Sequence, residues 1–256
     1  MHKIHAFAMR NAREILRDPL SYIFCLGFPL VMLVVMTLVD RSIPPEAGMT
    51  IFRIDRLAGG VAVFGQMFVM LFTAMTVAKD RSGAFLMRMY ASPMMALDFV
   101  LGYMLPMLLI ALAQNLLIGA SAYVVSMVTG TPLSLGGLLL SLVTLAPSAV
   151  LFIAIGLLFG TLLSEKSAPG MCSIIISLGS FLGGIWFDAQ RTGGVLLEVC
   201  RCLPFFYCTQ AVRSAMQLSL TWDALGFPLM VVFACATLLV AGASVVFRMK
   251  MQADLA

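Results

Sequence analysis

Six long apolar runs constrain the fold of this 256-residue chain more than any other feature. A helix needs about 20 apolar residues to cross the hydrocarbon core of a bilayer, within a range of roughly 17 to 25. Charged residues make up 11% of the chain, against about 25% in soluble domains. The sequence therefore predicts an all-α integral membrane protein with six transmembrane helices, at 20–39, 57–78, 99–128, 133–163, 171–187 and 225–247.

The N-terminal segment 1–18 is amphipathic and basic. Phe7, Ile15 and Leu16 alternate with Arg10 and Arg13 at helical spacing. A basic amphipathic helix is typical of a membrane interface, with its apolar face toward lipid. The sequence favours such an interfacial helix, and the alternative is a cap that packs on the segment 79–98.

The segment 79–98 lies between the second and third runs and has the densest charge found between any two runs. Written as a helix, it places Phe85 with Met89, and Leu86 with Tyr90, at i and i+4, which puts each pair on one face. Pro93 then disfavours helical backbone at the residue before it and ends the element. This helix is too short to cross lipid, so it is expected to offer a face to another molecule. A polar turn with solvated charges is the alternative.

The segment 188–223 is too apolar for water and too interrupted for a span. It is expected to form short helices that dip into the outer leaflet or pack on the spans, because non-helical backbone at that depth must be covered by protein.

The distribution of lysine and arginine beside the spans predicts the orientation, since cytoplasmic loops carry the excess. One side carries Lys3, Arg10, Arg13, Arg17, Lys79, Arg81, Arg88, Lys166, Arg248 and Lys250; the other carries Arg41, Arg53, Arg56, Arg191, Arg201 and Arg213. The excess places both termini and the segment 79–98 in the cytoplasm. The net charge of +4 is explained by these flanking residues and anionic lipid, and it does not indicate nucleic acid.

Polar residues inside the spans have two interpretations. They line a transport path, or they join helices, as small and hydroxyl residues in spans often do. No span has a charge in its middle, which argues against a proton-coupled transporter and favours an apolar or amphipathic cargo. The candidates for lining are Gln66, Thr73, Ser173, Ser177 and Ser180.

The cysteines and histidines indicate no metal site. His2 and His5 have no further ligands nearby in the sequence. Cys200, Cys202 and Cys208 lie on the predicted outer face, where disulfides are permitted. Cys208 with Cys200 or with Cys202 is the more feasible pairing, because cysteines two apart on a helix point apart. Free thiols are the alternative.

Three local patterns resemble the type-2 permeases of ATP-binding-cassette exporters, and the resemblance covers nearly the whole chain. The first is DRSGAFLMRMYASP at 80–93, which is similar to the family's coupling segment. The second is an outer helix with the pattern Pro-x-x-Tyr then Ala-x-Arg, formed by Pro204, Tyr207, Ala211 and Arg213. The third is Gly-Ile-Trp-Phe at 184–187. Asp188 stands where the family usually has proline, and Gln210 where it usually has an acidic residue.

The resemblance implies a permease that pairs with a second permease, itself or a sister chain, each docked on a separate ATPase. It implies no catalytic residue and no cofactor in this chain, with ATP and Mg²⁺ on the partner; the sequence contains no G-x-x-x-x-G-K-[ST] phosphate loop. The implied localisation is a bacterial inner membrane. The ATPase contacts expected from the coupling segment are Lys79, Asp80, Arg81, Phe85, Leu86, Arg88, Met89 and Pro93.

The resemblance thus predicts an exporter permease for a drug-like, lipid-like or peptide cargo. A membrane scaffold, sensor or immunity protein with the same fold is the alternative function.

Overall fold

The computed structural model describes residues 2–44, 49–83, 85–90 and 94–255, and within these ranges the chain is helical with no strand. The helices are α1 (His2–Leu16), α2 (Pro19–Tyr22), α3 (Phe28–Ser42), α4 (Ile54–Ser82), α5 (Phe85–Tyr90), α6 (Ala96–Thr129), α7 (Leu135–Leu162), α8 (Ala168–Leu182), α9 (Ala189–Thr192), α10 (Gly194–Arg201), α11 (Pro204–Met216) and α12 (Phe227–Leu255). Two π-helical turns, Ile23–Gly27 and Trp222–Gly226, precede α3 and α12.

Five of the helical stretches in the described residues are long and apolar enough to cross a membrane. They are Pro19–Ser42, α4, α6, α7 and Trp222–Gln252. In the most apolar stretch of α4, 78% of the residues are buried, against 17% in the first and last spans. The second span is therefore the centre of the bundle, and the first and last spans leave most of their surface for lipid or a partner.

The fifth predicted span, 171–187, is wrong in its bounds. The helix α8 ends at Leu182 and has 15 residues, which at 1.5 Å per residue is about 22 Å, less than the roughly 30 Å of the hydrocarbon core. It ends where Gly184 adopts a left-handed backbone with φ of 66°, a conformation that glycine adopts without steric cost. The apolar residues up to Phe187 form a turn and not a last helical turn.

The predicted outer segment contains three helices, α9, α10 and α11. The last two are bent by 92° relative to each other. If this bent pair is counted as one broken span, the chain has six candidates. The sequence predicts the additional span at α8 instead. The six-span prediction therefore depends on whether α8 or the bent pair of α10 and α11 crosses the membrane.

The first span contains a π-helical turn shortly before Pro29. A proline lacks the N–H that an α-helix needs and its ring clashes with the preceding turn. The π-helical turn Ile23–Gly27 accommodates this defect. The same arrangement recurs at Trp222–Gly226, directly before Pro228.

Part of the apolar face of α1 packs on protein, whereas Leu16 on the same helix is 65% exposed, so the placement of α1 at a membrane interface stays a prediction. Phe7 and Ile15 are buried, and the Phe7 ring makes edge contacts with Phe99 and Tyr103 at the start of α6, at centroid distances of 5.5 and 5.0 Å. Asn11 donates to the Gly102 carbonyl at 3.1 Å. The helix also contacts Phe85 in α5, as expected for the alternative in which it packs on the segment 79–98.

Candidate functional site

A buried carboxylate joins three helices at the end of the bundle that carries α1 and α5. Asp80, near the end of α4, is 4% exposed. Arg10 donates to its two oxygens at 2.6 and 3.0 Å, and the Tyr103 hydroxyl donates at 2.7 Å. Burial disfavours the Arg10 charge, but the hydrogen bond and charge of Asp80 outweigh it and raise the pKa of Arg10. Arg10 is therefore charged at any physiological pH, and the Asp80 node ties α1 to α4 and α6.

The short helix α5 is held against α1 by Phe85. Its ring stacks on Phe7 with a centroid distance of 6.4 Å, and the Arg10 guanidinium lies 4.0 Å from its centre on the face of the ring. An arginine in this position is attracted by the ring quadrupole. The segment predicted to couple to an ATPase is thus one unit with α1.

The structure divides the predicted coupling residues into two groups. Asp80 and Leu86 are buried within the single chain, where they hold the unit together, and their contact with an ATPase stays a prediction. Phe85 is half-buried against α1, and Arg88 is exposed. Met89 is half-buried, and Pro93 lies outside the described residues.

The remaining basic residues of this segment connect it to neighbouring helices. Lys79 donates to Glu14 of α1 at 3.1 Å and keeps most of its surface exposed. Arg81 donates to the Thr161 carbonyl at the end of α7. Ser82 donates to Glu165 at 2.7 Å, in the turn between α7 and α8. The helix α5 itself contacts α1 through Phe85, and α6 and α12 through Tyr90. The end of α4, directly before α5, is joined to α1, α7 and the turn before α8 by these three side chains.

A row of aromatic side chains runs along α4 on the face toward the first span. Phe64 and Phe68 contact each other at 5.3 Å, and Phe24 contacts both Phe68 and Phe72, at 6.1 and 6.3 Å. Trp186 extends the row beyond Phe64 at 5.1 Å. An apolar groove of about 430 Å³ opens beside this row, between the first span and α8. Its size is within the roughly 300–1,000 Å³ of sites for drug-sized ligands.

Two of the five predicted path residues line this groove, and the other three do not. Ser173 and Ser177 line the groove and are exposed on α8. Gln66 and Thr73 are 0% exposed, so they do not line an open path in this structure. Ser180 is also buried, and its hydroxyl donates to the Ser177 carbonyl.

Gln66 instead joins three spans. Ser148 donates to its carbonyl oxygen at 2.6 Å, and its amide donates to the Leu145 carbonyl at 3.0 Å and to Asn115 at 3.4 Å. Its neighbour in the bundle, Gln114, donates to the Ala62 carbonyl at 3.2 Å. Of the two interpretations of polar residues in spans, interhelical contact is the one found for Gln66.

The outer residues of the resemblance belong to one helix with a clear structural role. Pro204 begins α11, where its missing N–H costs nothing. Tyr207 contacts Phe227 at the start of α12 with a centroid distance of 5.8 Å. Ala211 is buried, and Arg213 donates to the carbonyls of Gly184 and Ile185 in the turn after α8.

The cysteines are free thiols in the structure. Cys200 and Cys208 are buried and Cys202 is exposed, so the predicted pairings of Cys208 are not found. The burial of Cys200 raises the pKa of its thiol, which lowers its reactivity.

Two features of the site escaped the reasoning from sequence. The pairing of Arg10 with Asp80 joins residues 70 positions apart, and no local pattern indicates it. Gly156 and Gly160 lie at the close contact of α7 with α4, where a Cβ at Gly160 would be 2.6 Å from the Ala74 carbonyl oxygen. Their spacing is that of a G-x-x-x-G motif, which could have indicated this contact.

Comparison with known families identifies the chain. A model of the family described as ABC-2 type transporter matches residues 2–217. The match includes α1, α5 and α11, which hold the residues described above. No curated protein matches the chain. Because the family model covers most of the sequence, and because the described residues form an apolar helical bundle with five or six span candidates, the chain belongs to the ABC-2 type transporter family of membrane permeases.

Proposed function

We propose that this chain is the membrane-spanning subunit of an ATP-binding-cassette exporter, which moves an apolar or amphipathic cargo outward with ATP hydrolysed by a separate ATPase. The family match over 2–217 carries this proposal. The 256 residues contain no phosphate-binding G-x-x-x-x-G-K-[ST] loop, so we place the ATP site outside them. ATP and Mg²⁺ then bind the partner.

The proposed docking surface for the ATPase is the composite of α5 and α1. The exposed Arg88 and Lys79 lie at its rim. The half-buried Phe85 is the apolar anchor that fixes α5 on α1. The contacts of Asp80, Arg81 and Ser82 then carry movement of the ATPase into the spans. This unit lies in the cytoplasm in the proposed orientation.

The proposed cargo site is the groove between the first span and α8. Phe24, Phe68 and Phe72 supply an aromatic wall, and Ser173 and Ser177 supply hydroxyls on the opposite side. The exposed face of α8 and the first span remain uncovered in the single chain, so we propose that a second permease, identical or a sister chain, closes the groove. The groove then becomes part of a path between the two subunits.

Phe85→Ala is expected to reduce the amount of ATPase that co-purifies by about fivefold or more, because truncating the ring that fixes α5 on α1 costs more than about 1 kcal/mol and loosens the proposed docking surface. Arg88→Ala is expected to have less effect, since an exposed rim charge contributes little. The measurement is the ATPase retained on affinity-tagged chain after co-expression with the cassette ATPase of an adjacent reading frame. Phe233→Ala is the matched control, because that ring is 62% exposed on α12. Wild-type retention by Phe85→Ala would favour the scaffold function.

The orientation predicts which single cysteines react from outside the cell. In a cysteine-free background, Arg41→Cys is expected to be labelled by an impermeant maleimide in intact cells, and Lys166→Cys only after lysis. Both positions are exposed at opposite ends of the bundle. Labelling of position 166 in intact cells would invert the orientation and remove α5 from the cytoplasm.

A further inference from the structure

A polar cavity lies at the end of the bundle remote from α1 and α5. It has a volume of about 230 Å³ and is enclosed by the start of α4, the turn after α8, and α11. Arg56, Asp188 and Arg213 line it, together with the hydroxyl side chains of Ser214 and Ser219. Such a concentration of polar groups is unusual in a chain with only 11% charged residues.

Arg213 is fixed in this cavity by main-chain carbonyls and not by a carboxylate. Its guanidinium donates to Gly184 at 2.8 Å, to Ile185 at 3.2 Å and to Arg56 at 3.1 Å. These bonds satisfy three of its five donors and leave its positive charge without a hydrogen-bonded anion. The side chain crosses α4 over Gly60, where a Cβ would be 3.1 Å from Nη2.

Arg56 supplies a second positive charge with few protein contacts. Its side chain is 38% exposed, and Nη1 lies 3.4 Å from Oδ2 of Asp188, longer than an optimal charged hydrogen bond of about 2.7–2.9 Å. The other oxygen of Asp188 accepts from the Arg191 N–H and caps α9. The charged groups that line the cavity are therefore two cations and one anion.

The neutral groups add hydrogen-bonding capacity. The Ser214 and Ser219 hydroxyls make no side-chain hydrogen bond to the described part of the chain, whereas Gln217 donates to Asp55 at 3.3 Å. Asp55 also pairs with Arg53 at 3.3 Å, so its charge is already matched outside the cavity. The two arginines and the two serines line the same cavity.

We propose that this cavity binds a phosphate group, held between Arg56 and Arg213. Arginine pairs match the geometry of phosphate oxygens and are common in phosphate sites. The cavity is smaller than the roughly 300–1,000 Å³ of sites for drug-sized ligands, so it accepts a headgroup-sized group and not a whole amphiphile. The phosphate belongs to a lipid headgroup or to a free phosphate ester. The site is separate from the cargo groove and does not depend on the proposed transport function.

Asp188 competes with the phosphate for Arg56 in this arrangement. Substitutions of Arg56 and of Asp188 are therefore expected to change the affinity for phosphate in opposite directions. Arg56→Gln is expected to weaken phosphate binding by about tenfold, since it removes one of the two positive charges and its charge-assisted hydrogen bond to the phosphate. Asp188→Asn is expected to strengthen binding, because it removes the competing negative charge while asparagine still caps α9. A purely structural Arg56–Asp188 pair predicts instead that the two substitutions act in the same direction on stability and that neither changes binding.

The experiment uses the purified full-length chain in nonionic detergent, without an ATPase. One arm titrates glycerol phosphate and the other titrates short-chain phosphatidylglycerol, each by calorimetry, with diacylglycerol as the uncharged control. Saturable binding of glycerol phosphate identifies a free phosphate ester as sufficient, and binding of phosphatidylglycerol alone identifies the lipid. Arg201→Gln, an exposed arginine on α10 outside the cavity, is the matched variant and is expected to bind like wild type. Absence of binding in both arms, or equal affinity of wild type and Arg56→Gln, would overturn the proposal.

Discussion

Arg10→Met is expected to destabilise the chain by about 3–5 kcal/mol, because it leaves the Asp80 carboxylate buried without its cation. Asp80 would keep only the Tyr103 hydroxyl as a partner. Methionine preserves the length and apolar stem of the side chain, so the loss reflects the ion pairs with Asp80 and Glu14, the hydrogen bond to Asn11 and the contact with the Phe85 ring. Arg10 is partly exposed, which moves the expected cost toward the lower end of that range.

Thermal unfolding of purified protein in detergent measures this effect. Arg13→Met is the control, because Arg13 lies on the same helix with an exposed side chain. Asp80→Asn combined with Arg10→Met is expected to recover part of the loss, since it removes the uncompensated charge. A melting temperature for Arg10→Met equal to that of Arg13→Met would show that Arg10 does not stabilise Asp80.

Gly160→Leu is expected to separate α4 from α7 and abolish most folded protein. A Cβ at this position would lie 2.6 Å from the Ala74 carbonyl oxygen and 2.7 Å from the Val77 Cβ. The obstructing atoms include backbone, so a side-chain rotation cannot relieve the clash. Overpacking in a well-packed interior typically costs about 1–3 kcal/mol, and here two whole helices have to move.

The yield of monodisperse protein from size-exclusion chromatography measures this loss. Gly242→Leu in α12 is the matched control, because no atom lies within 4 Å of the Cβ it would add. We expect the control to fold normally and Gly160→Leu to aggregate. Normal yield for both variants would mean that α7 does not approach α4 as closely as the structure has it.

The positions of the long helices could be predicted from sequence because lipid requires continuous apolar helices. The predicted span 99–128 corresponds to α6 at Ala96–Thr129, and 133–163 corresponds to α7 at Leu135–Leu162. The predicted fifth span extends to Phe187, beyond the end of α8 at Leu182, because apolar residues continue after the helix ends. Hydropathy does not detect the left-handed turn at Gly184.

The partners of amphipathic faces could not be predicted in the same way. The apolar stripe of α1 is visible in the sequence. However, Phe7 could be buried equally well by lipid or by the aromatic residues of α5 and α6. The coupling segment shows the same limit: periodicity identified the pair Leu86 and Tyr90 correctly as one face, yet that face is buried within the chain. Only the long-range contacts decide which side of such a helix is left for a partner.

The sequence could not separate groove-lining polar residues from polar residues between helices for a related reason. Gln66 and Ser177 are both polar residues within predicted spans, but one points between three helices and the other into a groove. Without the rotation of each helix in the bundle, residue type does not distinguish them. The motif at Gly156 and Gly160 would have fixed the contact of α7 with α4, and with it the rotation of α4.

The proposed dependence of this permease on an ATPase is tested most directly by co-expressing the wild-type chain with a cassette ATPase from the same genome. The quantity to measure is ATPase retained on the tagged permease, together with its rate of ATP hydrolysis in lipid vesicles. We expect a stable complex whose hydrolysis rate depends on the permease and falls with Phe85→Ala. A permease that retains no ATPase, or a hydrolysis rate that is unchanged without the permease, would contradict the proposed function and favour the scaffold alternative.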